Sequence, residues 1–194
     1  MPTDTFVIVP TSNEADNLDD LLAQLLALPV GLGAIVVDDN SPDGAGDLAD
    51  RWAEGHPGRV YALHRPRKLG LGTAYIAGFK KAIHEIGAER VLTMDADFSH
   101  NPRYIPDMID LSRSKHVVIG SRYVAGGGTR NCTRKRVLLS RGANFVARAL
   151  LGLKARDATA GFRLYRREVL LSIPLDEIFS WGYSFLLERL FLCD

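Results

Sequence analysis

Cysteine is nearly absent from this chain: Cys132 and Cys193 are the only two in 194 residues. Two distant thiols give neither a disulfide framework nor a metal-ligand spacing, and they read as free thiols in a reducing, cytoplasmic compartment. Long apolar runs are missing too. None approaches the roughly 20 residues of a bilayer-spanning helix. The opening MPTDTFVIVP lacks a basic leader and a long apolar centre, so it reads as a strand and not as a signal peptide. Repeats and low-complexity stretches are absent. So is any Ser/His/Asp or Cys/His set: His64, His84 and His116 are scattered and read as surface or satisfied histidines. What remains is ordinary for a soluble globular protein, 46% apolar and 24% charged residues. That is enough for a sizeable core in one domain without disulfides or a structural metal.

Net charge is small, but charge is unevenly placed. The formal net charge is +1. Yet residues 129–167 hold eleven Lys and Arg against a single acid, Asp157, whereas residues 1–128 hold twelve basic and seventeen acidic residues. The basic third should face something anionic: a phosphate group, an anionic membrane surface or nucleic acid. Nucleic acid ranks last, because that segment offers only Phe145, Phe162 and Tyr165 for stacking.

Apolar runs alternate with helical patterns from the start. Phe6–Pro10, Ala34–Val37, Val60–Leu63, Arg90–Met94 and Val117–Ile119 read as strands, and Gly161–Tyr165 as a strand at or near a sheet edge. Leu18, Leu21, Leu22, Leu25 and Leu26 keep helical spacing behind a cap at Ser12 or Asn13, with Pro29 and Gly31 as the stop. Further helices are expected over Asp47–Gly55, from Lys68 to about Ile86, from Arg136 to Leu151 and from Tyr183 to Leu192. Pro102 and Pro106 suit a loop and a first helical turn. The triple glycine at 126–128 marks a flexible link. This order predicts an α/β fold, a largely parallel sheet with helices on both faces.

The acids gather at strand ends. Glu14 follows the first strand, Asp38 and Asp39 the second, and Asp95 and Asp97 the fourth. In a parallel sheet these ends share one edge, where open α/β sheets bind ligands. Residues two apart on an extended segment point the same way, so Asp95 and Asp97 should converge on one cation. Gathered carboxylates repel unless a cation intervenes. Mg²⁺ typically takes one or two carboxylates plus phosphate oxygens and waters, which suits an Asp-x-Asp site holding a nucleotide diphosphate. His100 adjoins this loop; a supporting role behind the acids and a purely structural one both stay open.

Seven motifs then appear in order: VPTSNEADNL (9–18), VVDDNSPDG (36–44), KLGLGTAYIAGF (68–79), MDADFSHNP (94–102), GSRYVAGG (120–127), LLSRGAN (138–144) and DATAGFRLYRREVL (157–170). Together they resemble the polyprenol-phosphate (dolichol-phosphate) mannosyltransferases, inverting family 2 glycosyltransferases of the GT-A fold. The resemblance covers about Val7 to Glu188. It implies a single GT-A catalytic domain over 1–194, with a nucleotide-sugar and metal half over 1–128 and a basic half over 129–194 that faces the acceptor and the membrane. Pro10 and Glu14 would line the nucleoside pocket, with Val37 beside the base and Asp39 accepting from the base edge. Asp95 and Asp97 would hold Mg²⁺ or Mn²⁺ and the donor diphosphate, with Ala96 in backbone contact. Ser99 stands where relatives often carry a metal-facing glutamine, and its shorter side chain calls for a bridging water or another ligand. Arg122 would touch the diphosphate or the sugar. Arg136 and Arg141 would grip the acceptor phosphate.

The reaction implied is mannosyl transfer from GDP-mannose to a polyprenol monophosphate, by a peripheral protein on the cytoplasmic face of a membrane. The helix from Arg136 to Leu151 has the make-up of an interfacial helix or of a core helix with a solvated face. The family pattern continues beyond Leu190–Asp194 into a further strand and a basic phosphate-binding loop, so the expectation is a chain that stops short of that element. Several alternatives stay open. UDP-glucose is the second donor, since no residue fixes guanine over uracil. A domain that binds nucleotide sugars without turnover is another. An Asp-nucleophile phosphatase is disfavoured, because its motif sits on an early strand and Phe98-Ser99 follows Asp97 here.

Overall fold

A computed structural model describes residues 3–124, 142 and 157–175. Six strands form one sheet: β1 (Thr5–Thr11), β2 (Leu32–Asp38), β3 (Val60–His64), β4 (Arg90–Thr93), β5 (Val117–Ile119) and β6 (Arg163–Arg166), in the order β3-β2-β1-β4-β6-β5. β1 pairs in parallel with β2 and β4, and β2 with β3. β6 runs antiparallel between β4 and β5. The expected α/β sheet is therefore present, largely parallel with one reversed strand. That reversed strand is second from the edge, and it comes from the basic third of the sequence.

Both faces of the sheet are covered, which explains why its central strands β1 and β2 are apolar nearly throughout. Val7, Val9, Val36 and Leu92 pack under α1 (Ala15–Leu26), α2 (Ala45–Gly55) and α4 (Ile105–Leu111). Phe6, Ile8, Ile35, Val37 and Val91 pack under α3 (Leu71–Lys80) and α5 (Arg167–Ser172). The pattern expected from Lys68 to Ile86 is interrupted: α3 starts at Leu71 and passes at Lys81 into a π-helical turn that ends at Gly87, φ 77°. α3 lies close on β1. A Cβ on Gly78 would fall 2.6 Å from Ile8 Cγ2, so only glycine allows this depth.

Neither Ser12 nor Asn13 caps α1. Glu14 holds the cap position without a side-chain bond, and Asn13 takes a left-handed φ of 63°. The Ala15 amide donates instead to Asp43 Oδ2 at 2.9 Å, and the Asn13 amide to Ser41 Oγ at 3.1 Å. Asp43 Oδ1 also accepts from the Ala45 amide at 3.1 Å. One carboxylate thus satisfies the amino ends of two helices. Among the described residues no helix is long and apolar enough to cross a membrane.

Candidate active site

Because β1, β2 and β4 are parallel, their carboxyl ends share one edge, and Glu14, Asp38, Asp39, Asp95 and Asp97 all follow from it. Each carboxylate is held differently. Glu14 is half-buried at the start of α1, where its Oε2 accepts from Asn17 Nδ2 at 3.0 Å. Asp38 is buried and accepts from the Ser41 amide. Asp39 is buried against Arg65, whose Nε lies 2.6 Å from Asp39 Oδ1.

Asp95 and Asp97 do not ride on an extended strand. β4 ends at Thr93, where its pairing with β6 stops at Thr93↔Arg163 and the Thr93 hydroxyl donates to Gly161 O at 2.6 Å. Beyond it the chain turns, so strand alternation does not set where the two acids point. Asp95 is half-buried. The Tyr75 hydroxyl donates to its Oδ1 at 2.9 Å, and its own amide donates to His100 Nδ1 at 3.1 Å. Asp97 is exposed and accepts from the Ser99 amide at 2.9 Å. Burial pushes the Asp97 carboxyl up, but the hydrogen bonds from the Ser99 hydroxyl and amide outweigh it and hold it below its ordinary value. Between the turn's partners Phe98 takes φ 57°, a left-handed conformation that costs an L-residue on the order of 1–2 kcal/mol.

His100 lies behind the acids. It stacks on Phe162, ring centroids 5.2 Å apart and 10° from parallel. Because Nδ1 accepts from the Asp95 amide, the ring proton sits on Nε2 and the imidazole is neutral. The 3.8 Å approach of Nδ1 to Asp95 Oδ2 is then no ion pair. Burial favours the neutral form and lowers the His100 pKa; Asp95 and Asp97 pull it up, and Arg122 pushes it down.

Arg122 is clamped from below. Its amide, Nε and Nη2 all donate to the buried Asp157, at 3.1, 2.9 and 2.8 Å, and Nη2 also reaches Thr159 Oγ1 at 2.9 Å. Burial raises the Asp157 carboxyl, but the bonds and charge of Arg122, helped by Thr159, hold it below its ordinary value. The loop that carries Asp157 is pinned by the buried Arg163, which donates to Ala158 O at 2.6 Å and Ala160 O at 2.7 Å. Gly161 ends this loop against the site: a Cβ there would lie 3.4 Å from His100 Cε1 and 3.6 Å from Asp95 Oδ2.

The other expected residues are placed as follows. Pro10 is half-buried at the end of β1, paired with Val37. Val37 is wholly buried under α3, so its side chain offers no surface to a base. Ala96 is buried between the two acids, and Ser99 is exposed and folded back onto Asp97. Arg136, Arg141, the Arg136–Leu151 and Tyr183–Leu192 helices and the triple glycine lie outside the described residues. Sequence reasoning passed over Tyr75, Arg65, Asp157 and Gly161 as site-builders. Asp157 carried a signal, as the lone acid in a segment of eleven cations.

Among the described residues no group of three or more His, Cys, Asp or Glu side chains converges on a metal position. Two hard carboxylates on one loop still match what Mg²⁺ or Mn²⁺ requires when substrate phosphates and water complete the shell.

The sequence model of glycosyl transferase family 2 matches residues 6–173. A polyprenol monophosphomannose synthase of Mycolicibacterium smegmatis is 44% identical over 185 residues, 95% of this chain and 69% of that protein. An undecaprenyl-phosphate mannosyltransferase of Micrococcus luteus is 43% identical over 184 residues, 95% of this chain and 75% of that protein. The solved mannosyltransferase PcManGT from Pyrobaculum calidifontis, in complex with GDP-Man and Mn²⁺, aligns with a TM-score of 0.59 at 21% identity. That alignment covers 91% of this chain and 49% of the solved one, and the likeness is one of fold. An acid-lined strand edge, a mixed sheet of the GT-A type and a family match across most of the chain agree: this protein belongs to glycosyl transferase family 2 and is a glycosyltransferase.

Proposed function

We propose that the protein transfers a mannosyl group from GDP-mannose to a polyprenol monophosphate, with inversion at the anomeric carbon. The observation that carries this is the gathering of Glu14, Asp39, Asp95 and Asp97 on one sheet edge, in a chain 44% identical to a polyprenol monophosphomannose synthase. GDP-mannose, the ligand of PcManGT, is the donor that matches a mannosyl product.

Asp95 and Asp97 would hold a divalent ion, Mg²⁺ or Mn²⁺. When bound, such an ion supplies positive charge to the departing nucleoside diphosphate. The remaining work falls to the chain. Pro10, Glu14 and Asp39 bound the nucleoside end, and the Ala96 backbone lies between the two acids. Arg122, oriented by Asp157, offers its guanidinium to the diphosphate or the sugar. Ser99 keeps the Asp97 carboxylate charged and in place. Arg136 and Arg141 grip the acceptor phosphate.

A phosphate monoester is largely ionised at neutral pH, its second pKa being about 6. An acceptor oxygen therefore attacks the anomeric carbon without a strong general base. A new C–O bond forms on one face while the bond to the GDP oxygen breaks on the other, and GDP departs with the bonding electron pair. The task of the protein is to hold two anions in line, which explains a basic segment beside an acidic edge. The acceptor's tail places the protein at a membrane surface, and we propose peripheral attachment on the cytoplasmic face.

The test is transfer from radiolabelled GDP-mannose to a short polyprenyl phosphate in detergent, with and without Mn²⁺, and UDP-glucose in parallel. Metal-dependent formation of a β-linked mannosyl lipid is the expected result. Turnover with UDP-glucose alone would overturn the donor assignment. Donor binding without turnover in any combination would overturn the enzymatic reading of these residues.

A further inference from the structure

The Asp-x-Asp loop hangs free at the sheet edge on one side and is gripped from the core on the other. The grip comes from α3. Tyr75 is wholly buried, and its hydroxyl reaches Asp95 Oδ1 at 2.9 Å. Its ring is fixed in turn by Phe79, one helical turn on, with centroids 6.4 Å apart; Phe79 meets Tyr165 of β6 edge-on at 5.8 Å. The hydroxyl is thus the tip of a stack that starts in the sheet, set at its depth by the close approach at Gly78. From the other side, the Asp95 amide is committed to His100 Nδ1, and Gly161 leaves only van der Waals room beside Asp95 Oδ2. Among the described residues Asp97 has no comparable anchor in the core: the hydrogen bond drawn to it comes from Ser99 of its own turn.

We infer that Tyr75 is a positioning residue for Asp95: by occupying Oδ1 it fixes the rotamer of the carboxylate at the sheet edge. This rests on the reading of Asp95 as the carboxylate that binds metal and donor. It assigns the two acids different duties. Asp95 is a rigid reference point tied to the core, and Asp97 is an adjustable partner on a surface turn. A buried phenol hydrogen-bonded to a carboxylate is a strong, charge-assisted contact, and its loss should be visible in ligand affinity.

The variant is Tyr75→Phe, which removes one oxygen and leaves the aromatic stack intact. Two measurements are made. First, calorimetry of GDP-mannose with Mn²⁺ should show affinity about tenfold weaker, while GDP without metal binds as in the unaltered protein; tenfold is what loss of a single charge-assisted hydrogen bond predicts. Equal weakening of both ligands would mark a general structural defect and overturn the inference. So would an affinity for the metal-loaded donor that does not change. Second, the crystal structure of ligand-free Tyr75→Phe should show Asp95 in a different or mixed rotamer, and an unmoved Asp95 carboxylate would overturn it. This second measurement does not depend on the ligand. If the unaltered protein fails to bind GDP-mannose, the proposed donor is wrong, while the rotamer still decides the role of Tyr75.

Discussion

Asp39 and Arg65 meet as a buried ion pair, Nε to Oδ1 at 2.6 Å, each side chain 7% exposed. The guanidinium continues to Thr73 Oγ1 at 2.8 Å and Gly70 O at 3.4 Å. The end of β2 is thereby tied to the first turn of α3. One oxygen of the acid expected to read a base edge is committed to a protein cation. Arg65→Ala should leave Asp39 buried beside no counter-charge and cost about 3–5 kcal/mol in urea unfolding. Replacing both partners with apolar residues of similar size should cost clearly less.

Asp97 presents the opposite case. It is exposed, and its hydrogen bond comes from its own turn. Asp97→Ala should move the thermal midpoint by about 2 °C or less, as surface substitutions do. The same variant should lose Mn²⁺-dependent binding of GDP-mannose. Calorimetry with metal present checks this, and undiminished affinity would count against the assignment.

Asp157 makes acid sensitivity measurable. Its folded pKa lies below its ordinary value, mainly because the contacts of Arg122 overcome burial. The stability it contributes is present above the unfolded carboxylate pKa, about 3.9, and disappears as pH falls through the lower folded value. Asp157→Asn should therefore destabilise the protein at pH 7 by about 1.5–3 kcal/mol, and by progressively less as pH falls below about 3.9. Urea midpoints measured from pH 7 downward give the comparison.

Gly78 sets how deeply α3 sits. A Cβ there meets Ile8 Cγ2 at 2.6 Å, so Gly78→Ala should lift α3 from β1. The expected cost is about 1–3 kcal/mol of overpacking, in spite of alanine's better helix propensity. Donor affinity should fall with it, because Tyr75 is carried on the same helix. In an Ile8→Ala background, which lacks that Cγ2, the same change should cost less.

The strands were legible because their apolar runs answer to a sheet covered on both faces, and the acids at their ends were legible for the same reason. The expectation for the Asp-x-Asp pair rested on a geometry the chain does not adopt. Strand alternation suggested convergence, whereas β4 stops at Thr93 and a turn with Phe98 in a left-handed conformation places the acids. The reversal of β6 left no trace in Arg163–Arg166, because a four-residue strand pattern reads the same in either direction. Tyr75 was hidden inside a helical pattern: its ring obeys the spacing of a core residue, and only its last atom belongs to the site. The cap of α1 was misassigned to Ser12 or Asn13 because its acceptor, Asp43, is contributed from another loop. Proximity in sequence gave no hint of it.

That shared acceptor ties two crossovers into one mechanical piece. The loops after β1 and β2 both end on Asp43, so neither helix start can fray without slackening the other. In hydrogen exchange the amides of Ala15 and Ala45 should open together, at one rate, and Asp43→Ala should release both at once.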